Sequence, residues 1–224
     1  MCWNATADLV AGVGVAAVGV ACVTRAARGG RPRDLPMAAL PLLLGAHQII
    51  ESEVWRADGG TGPATVAWAV IALPLLPLWL PLAVLCPAPP SARRRLLVPL
   101  VAGVATSAAL SYYLATRTVT AEIRGHTVGY AFGLPRPELI IAGYLLATVG
   151  SLLLSGDRGL ILFGALVAVG ATVCVLLWRH EYISTWCAFA AVCSVFLYFW
   201  VGSPSVRRRS RPVRERSGPG SPGA

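Results

Sequence analysis

From Gly159 to Trp178 the chain reads GLILFGALVAVGATVCVLLW, twenty residues without a charge. As a helix rising about 1.5 Å per residue, such a run is about 30 Å long, the thickness of a bilayer's hydrocarbon core. One run of this kind forces a choice between deep burial and membrane insertion. The rest of the chain decides it, because six further apolar segments lie at about 7–23, 35–55, 65–85, 96–116, 138–155 and 182–201 beside this one at 159–178. With 224 residues and only 13% charged side chains, there is too little polar surface to keep so many apolar helices in water. The sequence predicts an all-α polytopic membrane protein: a seven-transmembrane-helix bundle over residues 1–201 and a disordered basic cytoplasmic tail over 202–224.

All 19 basic residues are arginines, and they gather between the apolar runs. Fourteen fall on one side (Arg25, Arg28, Arg31, Arg33, Arg93, Arg94, Arg95, Arg158 and six from Arg207 to Arg216), and five on the other (Arg56, Arg117, Arg124, Arg136, Arg179). Cytoplasmic loops collect positive charge, so the N-terminus is expected outside and the C-terminus inside, in the cell membrane. Topology thereby accounts for the net charge of +9, and no nucleic-acid partner is expected. The tail, SPSVRRRSRPVRERSGPGSPGA, has no apolar periodicity with which to order itself. Its expected partner is the lipid bilayer, where each arginine near anionic headgroups contributes about 1 kcal/mol.

Six cysteines, with no CxxC spacing, argue against a zinc ribbon or disulfide framework and for small buried hydrophobes. Cys2 can pair with Cys174 or Cys187 near the outer face, and the choice is open. Trp3, Trp55, Trp68, Trp178 and Trp186 fall at expected outer ends and Trp79 and Trp200 near the inner one, as an interfacial belt requires. Small residues at helical spacing, such as Gly12 and Ala16, Gly143, Ala147 and Gly150, or Gly164 and Ala168, suit close helix contacts. The third segment carries Pro74, Pro77 and Pro81, so a bent or locally unwound helix is expected whose freed carbonyls need partners.

Against this background the stretch LLLGAHQIIESEVW, Leu42 to Trp55, is anomalous. With Trp55 at the outer interface, Glu51 lies about 6 Å and His47 about 12 Å below it. Four residues apart, the two share a helix face, with Gln48 beside them; Glu53 points elsewhere and is shallow. An ionisable group inside a membrane is a functional candidate because its burial needs compensation. His126, in the long loop before the fifth segment, and His180 with Glu181, before the seventh, arrive on the same side. Gly125, Gly129, Gly133 and Tyr130 suggest that the long loop is a compact lid, with His126 over a cavity floored by His47 and Glu51.

Three chemistries fit. His47, Glu51 and His126 can bind a divalent metal such as zinc and leave a position for water. His47 and Glu51 can instead relay a proton or contact a small ligand, with Gln48, Tyr130, His126, His180 and Glu181 around them. The third reading is a hydrogen-bonded staple that sets helix register.

The segments MCWNATADLVAG, RPRDLPMAALPLLLGAHQIIE, EIRGHTVGY, LLATVGSLLLSGDRG and STWCAFAAVCS together resemble an uncharacterised actinobacterial membrane-protein family, a domain of unknown function whose members open Met-Cys-Trp-Ser. The resemblance runs to about Val201 and implies a multi-pass membrane protein without supplying an activity. Seven spans and a His plus carboxylate on the second also resemble the metal-dependent hydrolases related to alkaline ceramidase. Their paired histidines in the last helix have no counterpart in YISTWCAFAAVCS. The leading expectation is an outward-facing pocket for binding, sensing or translocating a small ligand or proton. The alternatives are a metal-dependent membrane hydrolase acting on a lipid-like substrate and a structural helix bundle. Whether the chain is an enzyme, and its oligomeric state, stay open.

Overall fold

The computed structural model describes residues 4–131, 133, 137–177 and 182–203. Cys2, Trp3, Trp178, Arg179, His180, Glu181 and the tail from residue 204 onward lie outside the described residues.

Helix α1 (Ala5–Arg28) starts at Asn4, whose Oδ1 accepts from the Ala7 amide at 2.8 Å and satisfies one of the free donors of the first turn. A 3-10 turn (Pro32–Asp34) and a single helical turn (Leu35–Ala38) lead into α2 (Leu40–Arg56). The break at Ala39 follows from Pro41, which has no amide to offer the Met37 carbonyl one turn back. Helix α3 (Pro63–Leu85) and α4 (Pro90–Thr116) come next. Strands β1 (Thr120–Arg124) and β2 (Thr127–Ala131) form an antiparallel hairpin. Helices α5 (Pro137–Leu153) and α6 (Arg158–Leu177) follow, and α7 is the stretch Tyr182–Ser194 continued by Phe196–Gly202.

About 80% of the described residues are helical. Among the described residues five helices are long and apolar enough to cross a membrane: α1, α3, α4, α6 and the Thr185–Gly202 part of α7. Helix α5 is apolar but only 17 residues long in its Pro137–Leu153 extent, and α2 is interrupted at Ala39 and carries carboxylates. Helix α4 begins at Pro90, six residues before the apolar run, because proline is accepted in a first turn.

The helices are inside-out compared with those of a water-soluble globule. Residues Asp8, Gly12, Val15, Gly19, Cys22 and Ala26 form the buried seam of α1, whereas Val10, Val13 and Val20 are more than half exposed. Helix α4 repeats the pattern, burying Gly103, Thr106 and Ser107 while Val98, Val101 and Val104 face outward. Small residues inside and branched aliphatics outside suit a hydrocarbon solvent.

The seam of α1 lies against α2 in antiparallel register. A Cβ built on Gly45 would stand 2.5 Å from the Ala16 amide nitrogen, and one on Gly12 would stand 2.8 Å from the Gly45 carbonyl oxygen. Glycine is needed here because the two backbones touch.

The prolines of α3 have the consequence anticipated for them. Pro74 sits in a π-helical turn, Ile71–Leu75, in which the Leu76 amide reaches back five residues to Ile71. The next amide in that register belongs to Pro77 and does not exist, so the Ala72 carbonyl has no donor from its own helix. Tyr144 of α5 supplies one, its hydroxyl donating at 2.6 Å. Likewise Pro81 cannot serve the Pro77 carbonyl, and Gly103 of α4 packs directly on that oxygen.

The hairpin is fastened to the loop between α2 and α3. Gly60 and Ala121 exchange two backbone hydrogen bonds, of 2.8 and 2.9 Å, and the positive φ of 78° at Gly59 lets the loop approach Ala121. Val119, Ala121 and Val128 are buried in a cluster with Val54, Trp68 and Leu110, so the hairpin is part of the core at this end of the bundle. At the opposite end the Asp157 carboxylate accepts from the Gly159 and Leu160 amides and from the Trp200 indole, closing the tight turn between α5 and α6.

Several tryptophans differ from the expected belt. Trp68 is fully buried, and Trp186 and Trp200 nearly so, because each packs between helices.

Candidate functional site

Helix α2 carries His47, Gln48 and Glu51, all inaccessible or within 1% of it. The His47 ring lies against Trp68 of α3, centroids 4.9 Å apart and tilted by 39°. Trp68 is in turn stacked on Tyr130 of β2, at 3.5 Å and 6°. Imidazole, indole and phenol thus form a column from the middle of α2 to the hairpin. The hairpin does close over the polar stretch, and Tyr130 is the residue that does so. His126 stands exposed at the turn between the strands, next to an exposed Arg124–Glu122 ion pair of 2.7 Å. Glu53 is also exposed, paired with Arg56 at 2.5 Å; exposed pairs of this sort contribute about 0–1 kcal/mol.

The deep polar atoms are incompletely paired. Gln48 Nε2 donates to Glu51 Oε2 at 3.2 Å, a bond within one turn of α2 that ties no two helices together. The Trp68 backbone approaches the imidazole, but neither His47 nitrogen completes a hydrogen bond, and Gln48 Oε1 and Trp68 Nε1 are also orphaned and buried. Each such group costs about 1–3 kcal/mol when left unsatisfied. Three adjoining side chains with unused donors and acceptors are a place where a small polar species gains by binding. From α7, Cys187 lies close enough to Glu51 to interact electrostatically.

One interhelical polar contact lies near the end of α2 and was not visible in the sequence. The Trp55 indole donates to Asp8 Oδ2 at 2.8 Å, across 47 residues, while Asp8 Oδ1 is buried without a partner. Asp8 reads in the sequence as complementing the dipole of α1 and Trp55 as an interfacial anchor; no local pattern links them.

A metal ion needs at least three ligands on one point. Among the described residues no group of three or more His, Cys, Asp or Glu side chains is so arranged. His47 and Glu51 supply two donors on one helix face, and His126, the third expected ligand, is at the exposed hairpin turn. The described residues therefore do not fit a zinc-like site. His180 and Glu181 lie outside the described residues.

The larger concavity is elsewhere. A cavity of about 640 Å³ lies among α3, α4, α5, α6 and α7, walled by Leu73, Leu110, Tyr144, Val149, Ala171 and Trp186 among others. A smaller one of about 50 Å³ shares Tyr144 and Trp186 with it and reaches Cys187. Neither is lined by His47 or Glu51.

No curated protein matches the chain, and no solved structure does. The sequence model of a family described as "Family of unknown function (DUF6629)" matches residues 1–215. That match takes in every helix, the hairpin and the buried polar column, and the chain belongs to the DUF6629 family of unknown function.

Proposed function

We propose that this is a multi-pass protein of the cell membrane whose seven helical segments all cross the bilayer, N-terminus out, with His47, Gln48 and Glu51 forming a buried site for a proton or a water-sized polar ligand. The observation that carries this reading is the fully buried imidazole, which the Trp68 backbone approaches without a well-formed hydrogen bond to either nitrogen. A side chain of this kind inside apolar helices costs stability, and a polar species bound to it offsets that cost. The carboxylate one turn away supplies a second proton-accepting group, and the Trp68–Tyr130 stack separates both from the hairpin surface. Sensing or carrying the bound species across the outer face is the role that suits such a covered, partly unsatisfied site. In this reading the arginine-rich tail rests on anionic headgroups of the inner leaflet.

Infrared difference spectra of the protein in lipid vesicles, recorded across a pH titration, test the proposal. A carboxylic acid band that appears on acidification and is lost in Glu51→Gln, with a shifted midpoint in His47→Leu, is expected. A spectrum identical in wild type and both variants overturns it. Stoichiometric divalent metal in purified wild type, lost in both variants, would overturn it in favour of a metal-dependent hydrolase. The orientation is tested by labelling a cysteine placed in the tail, which reagents outside intact cells must fail to reach.

A further inference from the structure

Helices α5 and α6 touch along Leu146–Leu153 and part over Pro137–Leu145. The 640 Å³ cavity occupies the opening between them, and its rim residues Ile141, Leu145, Val175 and Leu176 are exposed on the outward face of the bundle. Its size falls within the roughly 300–1,000 Å³ of cavities that hold small-molecule ligands. The few hydroxyls that face it are already committed: Tyr144 donates to the Ala72 carbonyl and Thr172 to the Ala168 carbonyl. The Trp186 indole is likewise used, donating to the Val167 carbonyl at 3.2 Å. A polar ligand would find nothing to bond, and apolar cavities of this kind do not hold water. An unfilled space of this size would also forfeit the dispersion contacts of all its walls.

We propose that this cavity takes one acyl chain of a bilayer phospholipid, entering sideways between α5 and α6. The opening lies among helices whose exposed faces are aliphatic, so hydrocarbon is the material in front of it. The two π-helical turns, Ile71–Leu75 and Leu146–Gly150, both contribute to its wall. Each shifts its helix out of regular register there, and the Tyr144–Ala72 bond ties α5 to the first of them beside the cavity. This inference rests on the proposed placement of α5 and α6 in the bilayer and is independent of the polar site.

Trp186 is a built-in reporter, being a cavity wall yet only 9% exposed. The full chain is reconstituted into vesicles of phospholipid with or without bromine on the acyl chains, and the Trp186 contribution is isolated by subtracting the emission of Trp186→Phe. Bromine quenches on van der Waals contact, so the Trp186 signal is expected to fall roughly two-fold or more in brominated lipid. Filling the cavity with Ala168→Leu plus Ala171→Leu, or from the facing wall with Val149→Phe, is expected to restore it while helical circular dichroism is unchanged. An unquenched Trp186, or quenching equal in wild type and in a folded filled variant, overturns the proposal. So does a Trp186 that stays unquenched until protein is diluted far below one copy per vesicle, since a second copy would then be the occupant at working concentration.

Discussion

The hydroxyl of Tyr144 in α5 donates to the carbonyl of Ala72 in α3 at 2.6 Å, and it does so because Pro77 has no amide to give that carbonyl. A regular stretch of α5 is joined to the irregular turn of α3 by a side chain that answers a defect in the backbone opposite. Tyr144→Phe should therefore cost about 1–3 kcal/mol by orphaning a buried acceptor. Pro77→Ala restores a backbone donor, so the double variant should lose less than the sum of the singles, as thermal unfolding in detergent would measure. Additive losses would mean that the hydroxyl and the proline are unconnected.

Glycines in α1 and α2 should divide sharply by face. A Cβ at Gly45 of α2 meets the backbone of Ala16, whereas one at Gly14 meets nothing within 4 Å. Gly45→Leu is expected to destabilise by about 1–3 kcal/mol or more through overpacking. Gly14→Leu should change stability by less than about 0.5 kcal/mol. Steric-trap or thermal measurements on the two variants suffice, and equal effects would contradict the observed register.

Asp8 and Trp55 should be energetically coupled. A cycle of Asp8→Asn, Trp55→Phe and the double variant is expected to give about 0.6–1.7 kcal/mol, as found between membrane helices. A coupling of zero would make the 2.8 Å contact incidental.

His47 should behave unlike a structural residue. Replacing an unsatisfied buried imidazole with an apolar side chain of similar size removes a penalty, so His47→Leu is expected to raise stability by about 1 kcal/mol. The same variant should lose the pH-dependent signal described above. A large loss of stability would return His47 to the role of a structural staple.

Much of the architecture was legible because it is written in composition over long windows. A run such as Gly159–Trp178 needs no partner to be recognised, and His47 and Glu51 declare a shared face by their four-residue spacing. The three prolines likewise announced that α3 would need donors from outside. What could not be read is which distant side chain answers. Tyr144 lies 72 residues from Ala72, and nothing near Tyr144 marks it as a donor to an orphaned carbonyl. Trp68 was misplaced for a related reason, since a tryptophan at the end of an apolar segment suits a lipid interface and a buried stack equally well. The glycines of the long loop suggest a compact segment, but strand alternation puts Tyr130 inward and leaves His126 in the turn, and only pairing decides that register.

The two hydrogen bonds between Gly60 and Ala121 also set an order of events in assembly. Helices α3 and α4 lie between these residues in the chain, so the pair cannot form until both have formed and have turned back on each other. The hairpin is then a late clasp, closed only after some sixty residues of intervening chain have found their places. A chain ending before residue 130 would keep the Trp68 ring against His47 but leave it without the Tyr130 phenol that stacks on its other side.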